Sequence, residues 1–219
     1  MTIRILLADD HEIVRQGLIH ILQAQKDFEV VGQAANGRQA VELAVRLRPD
    51  IIIMDVSMPD LNGIDATHQI RKEDPDARVI VLSMHHKRQF VLDMLREGVK
   101  GYILKSDISE QLIQGIQAVM AGGVYLSPQI AGGVVDNAVN PHGDSASGRE
   151  QSSTLSPRER EILQMIAEGN STKAIASRLN ITAKTVESTR RRIGIKLGVT
   201  TVAEMTKAAI AEGLTSVDG

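Results

Sequence analysis

The stretch Ile51–Asp60, "IIIMDVSMPD", decides how this chain folds. Four apolar residues, Ile51 to Met54, run straight into Asp55. A short apolar run of this kind predicts a strand buried on both faces, as in a parallel sheet. Pro59, Asp60, Asn62 and Gly63 then signal a turn. The question is what a carboxylate does at the carboxyl end of such a strand.

Working outward, the pattern repeats. Strand-like runs fall at Ile3–Ala8, Glu29–Gln33, Arg78–Leu82 and Gly101–Leu104. Helical patterns separate them at Glu12–Gln25, Gly37–Arg48, Asn62–Glu73, Arg88–Glu97 and Ile108–Ala121. Strand followed by helix, five times over, predicts an α/β fold: a doubly wound five-stranded parallel sheet with helices on both faces. Asp107, three residues before Glu110, reads as a capping-box-like start for the last helix, and Gly122-Gly123 as its stop.

The composition shifts after about residue 125. Asp136–Ser153, "DNAVNPHGDSASGREQSS", is rich in Ser, Asn and Gly and reads as part of a flexible linker over residues 126–152. From residue 153 to 219 the pattern is all helical. Ser156, Pro157 and Glu159 take the N-cap, first and third positions of one helix, which Gly169 stops. A short helix is expected near Thr172–Leu179, and a longer one at Ala183–Leu197 after Thr182, stopped by Gly198. The fourth starts near Thr201, with Glu204 three residues on. The lengths are those of a small four-helix helix-turn-helix module.

Composition narrows the function. The 219 residues suffice for one large domain or two small ones. The chain has no cysteine, which excludes disulfides, thiolate metal sites and a cysteine nucleophile, and suits a reducing cytoplasm. No run approaches the roughly 18–20 apolar residues of a membrane span, and the start, "MTIRILLADD", is not a secretory signal. Only Phe28, Phe90, Tyr102 and Tyr125 are aromatic, which argues against single-strand binding by base stacking. Residues 1–148 carry 14 basic and 19 acidic residues, residues 149–219 carry 11 and 8. An acidic front and a basic back imply different partners.

The polar residues of the front half share a position. Asp9 and Asp10 follow the first strand, Asp55 ends the third, Ser83 follows the fourth and Lys105 the fifth. All sit at carboxyl ends, the edge where doubly wound sheets bind ligands. Close carboxylates disfavour one another's ionised forms unless a cation compensates. A hard divalent ion such as Mg2+ suits an oxygen donor set, Lys105 suits a phosphate, and an aspartate can accept a phosphoryl group covalently. Taken singly, each aspartate is more often a turn or capping residue, and a lone lysine at a strand end is usually solvated. Their joint placement favours the chemistry.

"ILLADDHEIVRQGL", "PDIIIMDVSMPDLNGID", "VIVLSMH" and "GVKGYILKSD" resemble the receiver domain of two-component response regulators over roughly residues 1–125. The resemblance implies Asp55 as phospho-acceptor and Asp9, Asp10, Asp55 and the backbone carbonyl of Ser57 as Mg2+ ligands. It implies Ser83 and Tyr102 as switch residues, Lys105 as phosphate contact, and a sensor histidine kinase as donor. For Tyr102, a half-buried strand aromatic explains the residue almost as well.

In the back half, Asn180–Thr200 holds five basic residues and one acidic. Val186, Ile193 and Leu197 mark a core-facing side, with Thr189 and Arg190 between them. Lys184, Glu187, Ser188 and Arg191 then face outward and can enter a major groove. Lys184, Arg190, Arg192 and Lys196 flank that stripe and can reach phosphates, and Thr185 is a further candidate DNA contact. The stretch from Leu155 to Val199 resembles the LuxR-type helix-turn-helix. Thr189 stands where that family commonly has His, and Gly194 is unusual there. A mid-helix glycine costs roughly 1 kcal/mol, so the helix end is expected to fray or bend.

The expectation is therefore a phosphorylation-dependent transcriptional regulator in the cytoplasm, dimerising when activated and binding double-stranded promoter DNA, with no membrane association and no activity on outside substrates. Two rivals stand beside it. One is a phosphatase or phosphotransferase with an aspartyl-phosphate intermediate. Against it, Ser57 occupies the position two after Asp55, where one large phosphatase superfamily places a general-acid Asp. The other is a DNA-binding protein with a vestigial receiver, which the five-residue pocket disfavours.

Overall fold

The computed structural model describes residues 2–84, 88–132 and 155–215. The front half is a parallel sheet wrapped by helices, in the order β1 (Ile3–Ala8), α1 (Glu12–Gln23), β2 (Phe28–Ala34), α2 (Gly37–Leu47), β3 (Ile51–Asp55), α3 (Gly63–Glu73), β4 (Val79–Ser83), α4 (Arg88–Arg96), β5 (Gly101–Leu104), α5 (Ile108–Met120) and β6 (Tyr125–Leu126). The strands lie in the order β2-β1-β3-β4-β5-β6. Alternation along the strands builds two cores. Ile5, Leu7, Ile51 and Ile53 pack with Leu18, Leu22, Leu112 and Ile116 of α1 and α5. Leu6, Ile52, Met54 and Val81 face the other way, toward α2 and α3.

Among the described residues the sheet has six strands, not the expected five. Tyr125–Leu126 is too short to show an apolar run, and only its pairing with Gly101 and Tyr102 makes it a strand. Past residue 125, where a linker is expected, the chain still packs on the sheet. The Ser127 hydroxyl accepts from Leu104 N and donates to Gln111 Oε1, and Ile130 is buried. The Asp136–Ser153 stretch lies outside the described residues.

Asp107 precedes α5 as expected but makes no side-chain cap there. Its carboxylate accepts instead from Ser106 Oγ and Gln111 Nε2. Gly63 has a tighter reason to be glycine than turn formation. A Cβ there would stand 2.0 Å from the Asp55 carbonyl oxygen, so the start of α3 lies directly against the end of β3.

The back half is α6 (Pro157–Ala167), α7 (Thr172–Arg178), α8 (Ala183–Leu197) and α9 (Val202–Ala211). Ser156 with Glu159, and Thr201 with Glu204, form the two capping boxes the sequence predicts. The expected fraying of α8 at Gly194 does not occur: the helix runs to Leu197 and ends on Gly198. A Cβ at position 194 would meet the Val199 carbonyl oxygen at 2.7 Å. Glycine is what lets the chain fold back there, with Val199 N donating to Gly194 O.

The two halves share a continuous buried cluster, in which Met58, Leu61 and Ile64 join Ile162, Leu163, Ile166 and Leu214. Polar contacts cross the same boundary, from α6 to the loop between β3 and α3. No helix among the described residues is long and apolar enough to cross a membrane.

Candidate functional site

The carboxyl edge of the sheet gathers the residues that the sequence places there. Lys105, just past β5, puts its ammonium 2.8 Å from Asp55 Oδ2 and 3.0 Å from Asp9 Oδ2. Asp9, Asp10, His11 and Asp55 bring ligand-capable atoms within 4.8 Å of one another. Asp9 and Asp55 are buried, while Asp10 is partly open to solvent. The Ser57 amide lies 3.4 Å from Asp55 Oδ1. Burial, helped by the neighbouring charges of Asp9 and Asp10, pushes the Asp55 carboxyl up to about 6 against the pull of Lys105. Burial alone would lower Lys105, but Asp55 and Asp9 hold its ammonium above the ordinary range. The carboxylates and the lysine thus hold each other in place.

Ser83 ends β4 and is buried. Tyr102 is fully buried on neighbouring β5, hydrogen bonded to Ser83, and burial raises its phenol. The sequence left Tyr102 as a half-buried strand aromatic or a switch residue; it is wholly inside.

Two residues of the pocket were not read from sequence. His11 donates its amide to Asp9 Oδ1 at 2.8 Å and sets its ring against Asp10, with Nδ1 3.0 Å from Oδ1. Arg15 donates to the Asp9 carbonyl at 2.7 Å and fixes the turn after β1. A helical arginine at this spacing looks like a solvated face. Only its burial betrays it.

On α8 the phase agrees with the sequence pattern. Val186, Thr189 and Ile193 are buried, while Lys184, Thr185, Glu187, Ser188 and Arg191 are exposed. Arg190 and Lys196 are intermediate. Arg192 and Lys196 are not free flanking cations: each lies 2.7 Å from one oxygen of the Glu159 carboxylate. Glu159 is buried at the start of α6, which would raise its carboxyl. Lys196, Ser156 and Arg192 outweigh that and hold it near 2. Sequence shows Glu159 only as a capping residue. Its grip on α8 spans 33 and 37 positions and leaves no local pattern.

Residues 5–117 match the response regulator receiver domain family, and residues 153–209 match the bacterial regulatory proteins of the luxR family. The transcriptional regulatory protein MctR of Rhizobium johnstonii is 37% identical over 217 residues, covering 99% of this chain and 97% of that protein. The oxygen regulatory protein NreC of Staphylococcus carnosus is 38% identical over 213 residues, covering 96% and 98%. A solved structure of two RcsB dimers bound to two parallel DNAs is 25% identical, with a TM-score of 0.59, covering 97% of this chain and 99% of that one. The chain belongs to the response regulators in which a receiver domain is followed by a LuxR-type DNA-binding domain. It is a transcriptional response regulator.

Proposed function

We propose that Asp55 is the phospho-acceptor of this regulator and that its modification controls promoter binding by α8. The observation that carries this reading is the convergence of Asp9, Asp10 and Lys105 on a buried Asp55 whose carboxylate already has a cationic partner. A donor set of carboxylate oxygens and the Ser57 carbonyl fits Mg2+, which would neutralise the crowded charges and offer open positions to phosphate oxygens. The remaining work belongs to the protein. An Asp55 carboxylate oxygen attacks the phosphorus of a phosphohistidine on a sensor kinase. The new O–P bond forms as the P–N bond breaks, and the electron pair leaves with the imidazole. Lys105 shifts from carboxylate to phosphoryl oxygen, and Ser83 supplies a hydroxyl to another. The added charge, about 1.5–2 units, is the signal. The only chemistry in this reading is gain and loss of the phosphoryl group at Asp55, carried out in the cytoplasm, with no outside substrate.

On the output side, Glu187, Ser188 and Arg191, with Lys184, read base edges, while Thr185, Arg190 and the outer N–H groups of Arg192 reach toward phosphates; the Lys196 ammonium is held by Glu159. The DNA-bound dimers of the RcsB relative support a dimer of this chain on two half-sites. The test is incubation of the full chain with acetyl phosphate and Mg2+, followed by intact-mass spectrometry. One phosphoryl addition is expected, absent without the metal and absent in Asp55→Asn. Wild-type labelling of that variant would overturn the assignment.

A further inference from the structure

The contact between the two halves lands on the loop that leaves Asp55. Gln164, on α6, is fully buried, and its carboxamide uses its whole hydrogen-bonding capacity. Oε1 accepts from Asn62 N and from Asn62 Nδ2, both at 3.0 Å. Nε2 donates to Met58 O at 2.7 Å and to Glu168 Oε1 at 2.8 Å. Met58 and Asn62 bracket the turn between β3 and α3. Ser57, whose amide faces Asp55, donates its hydroxyl to the Gly213 carbonyl beyond α9 at 3.4 Å. Ion pairs surround this centre: Arg160 with Asp65, Arg178 with Asp60 and Arg38 with Glu161. The base-facing stripe of α8 is exposed while all these contacts are made.

We infer that Gln164, from the DNA-binding half, is a positioning residue for the phosphoryl-transfer pocket: it pins the loop after Asp55, so that docking of the two halves restrains modification of Asp55 and leaves the DNA-reading face open. The inference rests on Asp55 being the acceptor. A phosphoryl group on Asp55 adds volume and charge beside the Ser57 amide, and residues 56–62 must yield to admit it. Yielding pulls Met58 O and Asn62 N away from Gln164 and leaves buried polar groups unpaired, which docking opposes. The coupling is reciprocal: whatever docking takes from modification, modification takes from docking.

Gln164→Leu in the full chain keeps the buried volume and removes all four hydrogen bonds. Arg160→Ala loosens the same contact from a position remote from the pocket. Three quantities are compared with wild type: the radius of gyration by small-angle scattering, the rate of labelling by acetyl phosphate with Mg2+, and the affinity for a mixed-sequence duplex at fixed salt without a phosphodonor. Both variants are expected to expand, to label about fivefold faster or more, and to bind the duplex as wild type does. Expansion without faster labelling overturns the inference, as does an unexpanded Gln164→Leu chain that still folds. A rise in duplex affinity of the same size as the labelling gain also overturns it, because docking would then shield α8. If Gln164→Leu fails to fold, Arg160→Ala carries the same test alone. Failure of wild type to label at Asp55 would instead sink the acceptor assignment.

Discussion

The pocket at the sheet edge and the stripe on α8 are built on opposite principles. In the pocket, Asp9 and Asp55 are buried and charge-compensated by Lys105, so the site spends its electrostatics on itself until a ligand arrives. On the stripe, Lys184, Glu187 and Arg191 stand in solvent. A covalent site needs fixed geometry and tuned protonation, which burial supplies. A stripe proposed to read a groove needs exposed side chains on a fixed helix, and its buried support lies one layer back, in Thr189, Ile193 and the Glu159 clamp.

The largest effect that separates the two designs is expected at Gly63. A Cβ there would collide with the Asp55 carbonyl. Gly63→Ala should cost about 3 kcal/mol or more in a denaturant titration. A substitution by the same residue at an exposed α8 position, Ser188→Ala, should cost less than about 0.5 kcal/mol. Equal costs would mean that the pocket is no more tightly built than the stripe.

Protonation gives the next test. The folded chain raises Asp55 from 3.8 to about 6 and so holds this proton more tightly than the unfolded chain. The associated stability is complete below the unfolded value and is lost as pH rises through the interval to about 6. In EDTA above that interval, Asp55→Asn should therefore be more stable than wild type by roughly 1–3 kcal/mol. The advantage should vanish near pH 4 and shrink when Mg2+ is added. Thermal melts across pH decide it.

Glu159 has the opposite sign. Its folded value, near 2, lies below the ordinary 4.5, so its stabilisation is present above the unfolded value and is lost as pH falls toward 2. Glu159→Gln should cost about 1–2 kcal/mol, in line with loss of charge-assisted hydrogen bonds. Hydrogen exchange on α8 amides is the readout, because both tyrosines lie in the other half. Faster exchange in the variant, with no change in the sheet, is expected.

These contrasts mark where sequence was readable. Asp9, Asp55, Ser83 and Lys105 could be found because strand ends are local signals, and an apolar run that stops at a polar residue announces its edge. The α8 stripe was readable from the spacing of Val186, Ile193 and Leu197. Contacts between distant segments were not. Gln164 reaches Met58 across 106 positions, and Arg160 reaches Asp65 across 95. Polar residues on a helix look like a solvated face until the partner is in view. Gly194 misled for a related reason: propensity assigns a cost to glycine in a helix, while the benefit comes from a carbonyl that folds back from Val199.

The smallest expected effect sharpens the comparison within α8 itself. If Arg191 reads a guanine, Arg191→Ala should cost roughly 1–3 kcal/mol on the preferred duplex and relax preference at one base position. Arg192 uses Nε for Glu159, and its side chain is 60% exposed, so its remaining N–H groups are open toward a phosphate. Arg192→Ala should weaken preferred and scrambled duplexes alike and lower the salt slope by about one unit. Thr189, buried against the core, should accept Ser with sequence preference intact. The measurement is binding of the full chain at several salt concentrations to a duplex selected from a random library and to its scrambled counterpart. If Arg191→Ala weakens both duplexes equally, Arg191 is a backbone contact. If Arg192→Ala leaves the salt slope unchanged, its guanidinium belongs wholly to the Glu159 clamp, and the support layer behind the stripe extends one residue further than its exposure indicates.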